Sequence, residues 1–252
     1  MNNRKLVYIL LLILFWELMS RVIGNDQLMP SGFVIAEKLW DELIEGKLWR
    51  YAFYSIIAIF IGLSISTIMA LIISVFSIKY KWVMDFFKFL NSILHPLPGI
   101  AILPILIIWF GVGYKAIFAL VIHSVLWPII TNLFLALETF PKTLSMVGDN
   151  YEMGLLRKFW YIYFPGIMPS FISGIKTGWA RAFRAVISAE MFFGVIGATG
   201  GLGWYLVKKR VFLDTTGIFA GLIVIIIIGI ILERFVFNKL EKITIEKWGL
   251  KS

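Results

Sequence analysis

The chain has 252 residues, of which 60% are hydrophobic and 15% charged, with a formal net charge of +9 and a mean hydropathy of +0.89. Soluble domains carry about 25% charged and about 45–50% apolar residues, so this balance excludes an ordinary soluble domain and points to a bilayer. Cysteine is absent, which excludes disulfides and thiolate metal sites. The basic excess flanks apolar runs instead of forming the polar, aromatic-studded face of a nucleic-acid binder, so no nucleic-acid partner is expected.

The first residues, MNNRKLVYILLLILFW, read as a basic start and an apolar run. No small-x-small cleavage site follows, so this run is expected to remain as a first span. A membrane helix needs about 20 predominantly apolar residues. Six spans are expected, near Leu6–Ile23, Tyr51–Ile78, Met84–Phe110, Ala116–Leu135, Pro169–Ile196 and Gly217–Phe237. The expected class is all-α, a polytopic membrane protein of about six transmembrane helices, read as one domain over residues 1–252. With both termini in the cytoplasm, thirteen Lys and Arg residues fall inside (among them Arg4, Lys5, Lys158, Lys239, Lys242, Lys247 and Lys251) and eight outside, including Lys208–Arg210.

Residues 24–50, between the first two spans, are expected outside. Ser31 is a good N-cap, Ile35, Leu39, Trp40, Leu43 and Ile44 share one face, and Glu37, Lys38, Asp41, Glu42 and Glu45 lie mostly opposite. Gly46 can end the helix. An amphipathic helix resting on the membrane surface is expected, with docking to a partner as the other reading.

The third span contains HPLPGIAILPILIIWFGVG, where Pro96, Pro98 and Pro104 accompany Gly99 in an otherwise apolar run. Irregular backbone at membrane depth is tolerated where it is buried in protein or lines a cavity. Pro96–Pro104 is expected to bend this span beside a solute pathway, and simple helix packing is the other reading. Span five carries Lys176, Arg181, Arg184 and Glu190. Arg181, Arg184 and Ser188 share a helical face that Glu190 does not. Two readings stand: a basic lining for an anionic solute, or structural pairing with charges on other helices such as Glu17.

Residues 137–168 are expected in the cytoplasm. They are amphipathic, basic toward their end and bounded by prolines, and a connection this long between spans is usually functional. No zinc-protease, nucleophile-elbow or P-loop motif is present. The two histidines are His95 and His123, and His123 reads as a hydrogen-bonded structural residue. These parts suit transport better than catalysis. From the residues alone, a secondary transporter with a broken-helix site is the alternative.

Six stretches in register carry a resemblance: LMPSGFVIAEKLWDELIEGKLWRYAFYSI, HPLPGIAILPILIIWFGVG, FWYIYFPGIMPSFISGIKTGWARAF, SAEM, GGLGWYL and FAGLIVIIIIG. Together they resemble the permease subunit of ATP-binding-cassette importers, in the nitrate, taurine, alkanesulfonate and bicarbonate branch. The resemblance implies a type I importer permease fold in a bacterial cell membrane, with two permease copies forming the pore. It also implies a pair of cytoplasmic ATP-binding subunits that hold the ATP, an external solute-binding protein, and no cofactor on this chain. Asp149, Asn150, Tyr151, Glu152, Met153, Gly154, Leu155 and Pro165 are then the ATPase-docking loop. Pro96, Pro98, Gly99, Arg181 and Arg184 are the translocation pathway. The family's loop motif starts Glu-Ala-Ala and has a glycine thirteen residues before its first proline. Here Met146, Val147 and Gly148 stand at the first positions and Glu152 at the glycine. The motif is therefore degenerate at its front, or the loop is two residues shorter and Gly154 is the glycine.

Overall fold

The computed structural model describes residues 3–195 and 200–237, which form eleven α-helices and two π-type turns. Ile196 and Lys239, Lys242, Lys247 and Lys251, assigned above to a span and to the cytoplasm, lie outside the described residues. The chain clusters into two compact units, Met1–Ile56 with Glu190–Ile228 and Ile57–Ala189 with Gly229–Ser252.

Among the described residues, four helices are long and apolar enough to cross a membrane, or five if one bent pair forms a single span. They are α1 (Asn3–Ile23), α3 (Lys47–Lys79), α6 (Tyr114–Glu138) and α11 (Thr215–Ile231, followed by the π-type turn Leu232–Phe237). The bent pair is α4 (Lys81–Leu94) and α5 (Gly99–Phe110). The expected fifth span is α9 (Phe164–Val195), a helix of 32 residues. At about 1.5 Å per residue it is long enough for a bilayer core of about 30 Å. Its charges at Lys176, Arg181, Arg184 and Glu190 keep it out of a count made on apolarity.

In the first unit, α2 (Gly32–Ile44) begins as its sequence predicts. Ser31 Oγ accepts from the Val34 N–H at 3.4 Å, and Gly46 follows the helix at φ +72°. α1 is tied to the start of α2: Glu17 accepts from the Gly32 N–H and from Arg21, and the Trp16 indole donates to the Pro30 carbonyl. Glu17 is thus engaged within the first unit. The face expected for α2 needs correction. Glu42, placed on the polar side, is 7% exposed, while Trp40 and Ile44 are exposed. The cause is Lys209 of α10 (Leu202–Val211), which pairs with Glu42 and, at 2.8 Å, with Asp214. Burial opposes the charged form of Lys209, but the hydrogen bonds it donates to Asp214 and Glu42 outweigh it and hold the ammonium above its ordinary range. Burial likewise pushes Asp214 up, yet Lys209 and the Gly217 N–H leave its carboxyl below the usual carboxylate range.

The N-terminus of α10 is held by a buried carboxylate. Glu190, 2% exposed, accepts from the Ser55 hydroxyl at 2.8 Å and the Gly203 N–H at 2.9 Å, and Ser55 accepts from the Leu202 N–H at 2.8 Å. Two of the orphan donors of a helix start are thereby satisfied. Gly201 has to be bare, because a Cβ there would lie 2.0 Å from Ser55 Oγ and 2.4 Å from a Glu190 oxygen. Gly201→Ala is expected to destabilise the chain by roughly 1–3 kcal/mol, the cost typical of overpacking. Thermal denaturation of the purified chain measures this, and an unchanged midpoint contradicts it.

The second unit is built around α6, whose Leu120, Val121, Val125, Ile129, Ile130 and Leu133 are buried. Gly62 of α3 and Gly174 and Gly178 of α9 lie close against it, the small-residue packing usual between membrane helices. The third expected span is not one bent helix. Its halves meet at 104°, and the break falls at Pro96–Pro98, while Pro104 lies within α5. His95 keeps helical backbone (φ −64°, ψ −37°), but Pro96 and Pro98 have no N–H to donate and their rings clash with a preceding turn, so α4 cannot continue through them. Pro98 then stands at the N-cap of α5 and Gly99 opens the helix.

Residues 139–163 form two short helices, α7 (Lys142–Asn150) and α8 (Leu155–Lys158), with a π-type turn Phe159–Tyr163 leading into α9. The wider turn makes room where the Pro165 ring would meet the carbonyl four residues back. Glu152, φ +49°, ends α7: its N–H bonds the Asp149 carbonyl, and the Met153 N–H bonds the Gly148 carbonyl. That is a Schellman cap with glutamate in the left-handed position that glycine prefers. Gly154, by contrast, has an ordinary φ of −61°. Glu152, thirteen residues before Pro165, is therefore the residue of this connection in the conformation glycine favours. A left-handed non-glycine residue costs roughly 1–2 kcal/mol, and glycine is more flexible when unfolded, so Glu152→Gly is expected to stabilise by about 1 kcal/mol net. A lower melting midpoint contradicts this.

Candidate solute pathway

The break between α4 and α5 opens onto a cavity of about 530 Å³ in the second unit. One part of its lining is the break itself, from His95 through Pro96, Leu97 and Pro98 to Gly99 and Ile100. A second part is α6, through His123 and Ser124. The third is one face of α9, which contributes Arg181, Arg184, Ala185 and Ser188. The five residues read from sequence as a pathway, Pro96, Pro98, Gly99, Arg181 and Arg184, therefore line one cavity.

Each contribution has a local cause. A Cβ on Gly99 would fall 2.8 Å from Ser124 Oγ, so the missing side chain lets the start of α5 seat against α6. The N-terminus of α5 has no side-chain cap, and its first residues border the cavity. On α9 the spacing of three and four residues puts both arginines and Ser188 on one side. Glu190 is not among the lining residues, because its carboxylate holds α10.

The electrostatics are one-sided. The ion pairs among the described residues involve neither Arg181 nor Arg184. Among the described residues, no carboxylate lines this cavity. Arg184 also borders a second cavity of about 420 Å³, together with Lys176 and Glu233.

The histidines were underread from sequence. His123 does make a side-chain hydrogen bond, accepting at Nδ1 from the Trp127 indole at 3.5 Å, but it also lines the cavity, as does His95. The only sequence signal was the position of His95 immediately before the prolines.

On the inner loop, Asp149 and Asn150 end α7, Tyr151–Gly154 form the connection and Leu155 starts α8. Lys158 bonds Asp149 at 2.7 Å, which ties α8 to α7, and the Ser145 and Tyr163 hydroxyls meet at 2.8 Å, which ties α7 to the π-type turn. Tyr151 is 74% exposed, and Met146, Val147 and Leu156 are exposed nearby. Pro165 lies at the start of α9, away from the Tyr151–Gly154 connection in sequence.

Residues 29–242 match the family described as "Binding-protein-dependent transport system inner membrane component", and the chain belongs to it. It is therefore a multi-pass inner-membrane subunit, the non-catalytic permease of an ATP-binding-cassette importer of small solutes. The chain is 26% identical to the formylaminopyrimidine transport permease protein of Halalkalibacterium halodurans, over 94% of this chain and 92% of that protein. It is 22% identical to the taurine transport system permease protein of Escherichia coli, over 88% and 82%. It is 21% identical to the nitrate import permease protein of Synechocystis, over 92% and 86%.

Proposed function

We propose that the chain forms the translocation pathway for a small anionic solute, of the sulfonate, nitrate or bicarbonate type, through the cavity at the α4–α5 break. The observation that carries this reading is the pair Arg181 and Arg184, two guanidiniums that border a cavity without an ion-pair partner among the described residues. A charge within a membrane helix costs about 2.5–3.5 kcal/mol on insertion scales, so an unpaired one is expected to have a use. Helix starts at a broken span favour anionic groups in transporters, and the uncapped α5 start borders the same space. The taurine and nitrate relatives are named for solutes that carry a sulfonate or nitrate group, while the formylaminopyrimidine and riboflavin relatives are named for heterocycles, so the basic lining and not the relatives carries the anion reading.

In this reading two copies of the chain form the pore with both termini in the cytoplasm, and an external binding protein supplies the solute. A pair of ATP-binding subunits docks on Asp149–Leu155, with Pro165 fixing the start of the following span. The exposed Tyr151, joined by Met146 and Leu156, supplies the apolar contact, and the Lys158–Asp149 bond keeps α7 and α8 moving as one piece. Closure of the ATPase pair then reaches α6 and α9 as a rigid-body movement. Since the chain has no phosphate-cradling loop, purified chain alone is expected to hydrolyse no ATP. Hydrolysis by the chain freed of other subunits contradicts the assignment. Uptake of radiolabelled sulfonate, nitrate and bicarbonate by the reconstituted transporter tests the solute class, and transport confined to neutral or cationic solutes refutes it.

A further inference from the structure

We propose that His95 and His123 are direct solute contacts in this cavity, each donating a ring N–H to the oxygens of an oxyanion held by Arg181 and Arg184. The inference rests on the anion reading above and adds to it the residues that recognise the solute on the two remaining elements.

The two guanidiniums come from one face of one helix, so they cover one side of a bound anion. A nitrate, bicarbonate or sulfonate group has three oxygens, and a desolvated oxygen without a donor is costly. The other two elements offer mainly apolar surface, from Pro96, Leu97, Pro98 and Ile100. Their polar side chains are His95, His123 and Ser124, and Ser124 is the one packed against Gly99. The imidazoles are therefore the side-chain donors left for the rest of the anion. His123 Nδ1 accepts from Trp127, so the proton of the neutral ring is on the other nitrogen, which faces the Leu97 backbone at the break, and a solute oxygen would take the place of the Leu97 carbonyl as its acceptor. A neutral N–H adds no further positive charge beside the two arginines.

These are the only two histidines in the chain, so every imidazole signal reports on the cavity. The test uses the full chain in lipid nanodiscs, labelled with ring-15N histidine and titrated with nitrate, bicarbonate and ethanesulfonate. Saturable shifts of both histidines are expected, with His123 observed as the Nε2–H tautomer. His123→Phe and His95→Phe are expected to weaken binding roughly tenfold or more, as for loss of a hydrogen bond to a charged group. His123→Gln, which keeps a donor near Nε2, is expected to stay within a few-fold of wild type. If the anions bind by calorimetry while both histidine signals stay fixed, the inference fails and the anion reading stands. If none of the three anions binds the wild-type chain, both fall together.

Discussion

Replacing Arg181 or Arg184 by glutamine is expected to cut solute uptake by the assembled transporter by roughly 10- to 100-fold, the loss expected for a hydrogen bond to a charged group. Assembly with the ATPase and basal ATP hydrolysis are expected to stay near wild type. Removing one partner of a buried ion pair is normally destabilising by about 3–5 kcal/mol, because the other charge is left stranded. Neither guanidinium has such a partner among the described residues, so nothing is stranded here. Insertion is expected to become slightly easier, since a charge is removed from a membrane helix. Measuring uptake and subunit co-purification side by side separates the readings. A variant that fails to assemble shows that the arginines hold the fold rather than the solute.

The second large effect is expected at the inner loop. Tyr151→Ala should weaken association with the ATP-binding subunit by about tenfold or more, or leave hydrolysis running without uptake. Interface energy concentrates in a few residues, often aromatic, and truncating one costs about 2 kcal/mol or more. Tyr151 is 74% exposed and stands where α7 turns into α8, so it is presented on a braced corner. The variant should still insert and dimerise, because no span is altered. Wild-type association and uptake across substitutions at Asp149–Leu155 would mean that docking happens elsewhere.

Apolar length and local chemistry were legible in the sequence. The spans α1, α3, α6 and α11 follow from runs of about 20 apolar residues, and the start of α2 follows from Ser31. The prolines announced an irregular third span, but a 104° break and a bend look alike in one-dimensional text. What the sequence hid depends on distant partners. Glu42 looked like a solvated residue because Lys209, its partner, lies 167 positions away. Glu190 had no readable role beyond lying off the arginine face, because Ser55, which helps to hold it, is 135 positions distant. His123 was judged by its sequence neighbours, whereas the cavity it lines is assembled from three separate elements. The left-handed backbone at Glu152, a conformation glycine favours, could not be read from composition.

The absence of cysteine allows a direct test of the central claim, that the α4–α5 cavity is an anion pathway. Ser188→Cys places a single thiol in the cavity lining, on the arginine face of α9. The reconstituted transporter carrying it can be treated, during ATP-driven turnover, with a sulfonate-bearing or a quaternary-ammonium methanethiosulfonate reagent of similar size. Two unpaired guanidiniums should concentrate the anionic reagent, so it is expected to react about tenfold faster or more, with the ratio collapsing when Arg181→Gln is added. Uptake should fall in step with labelling. Equal rates for the two reagents, or full labelling with uptake unchanged, would contradict the account.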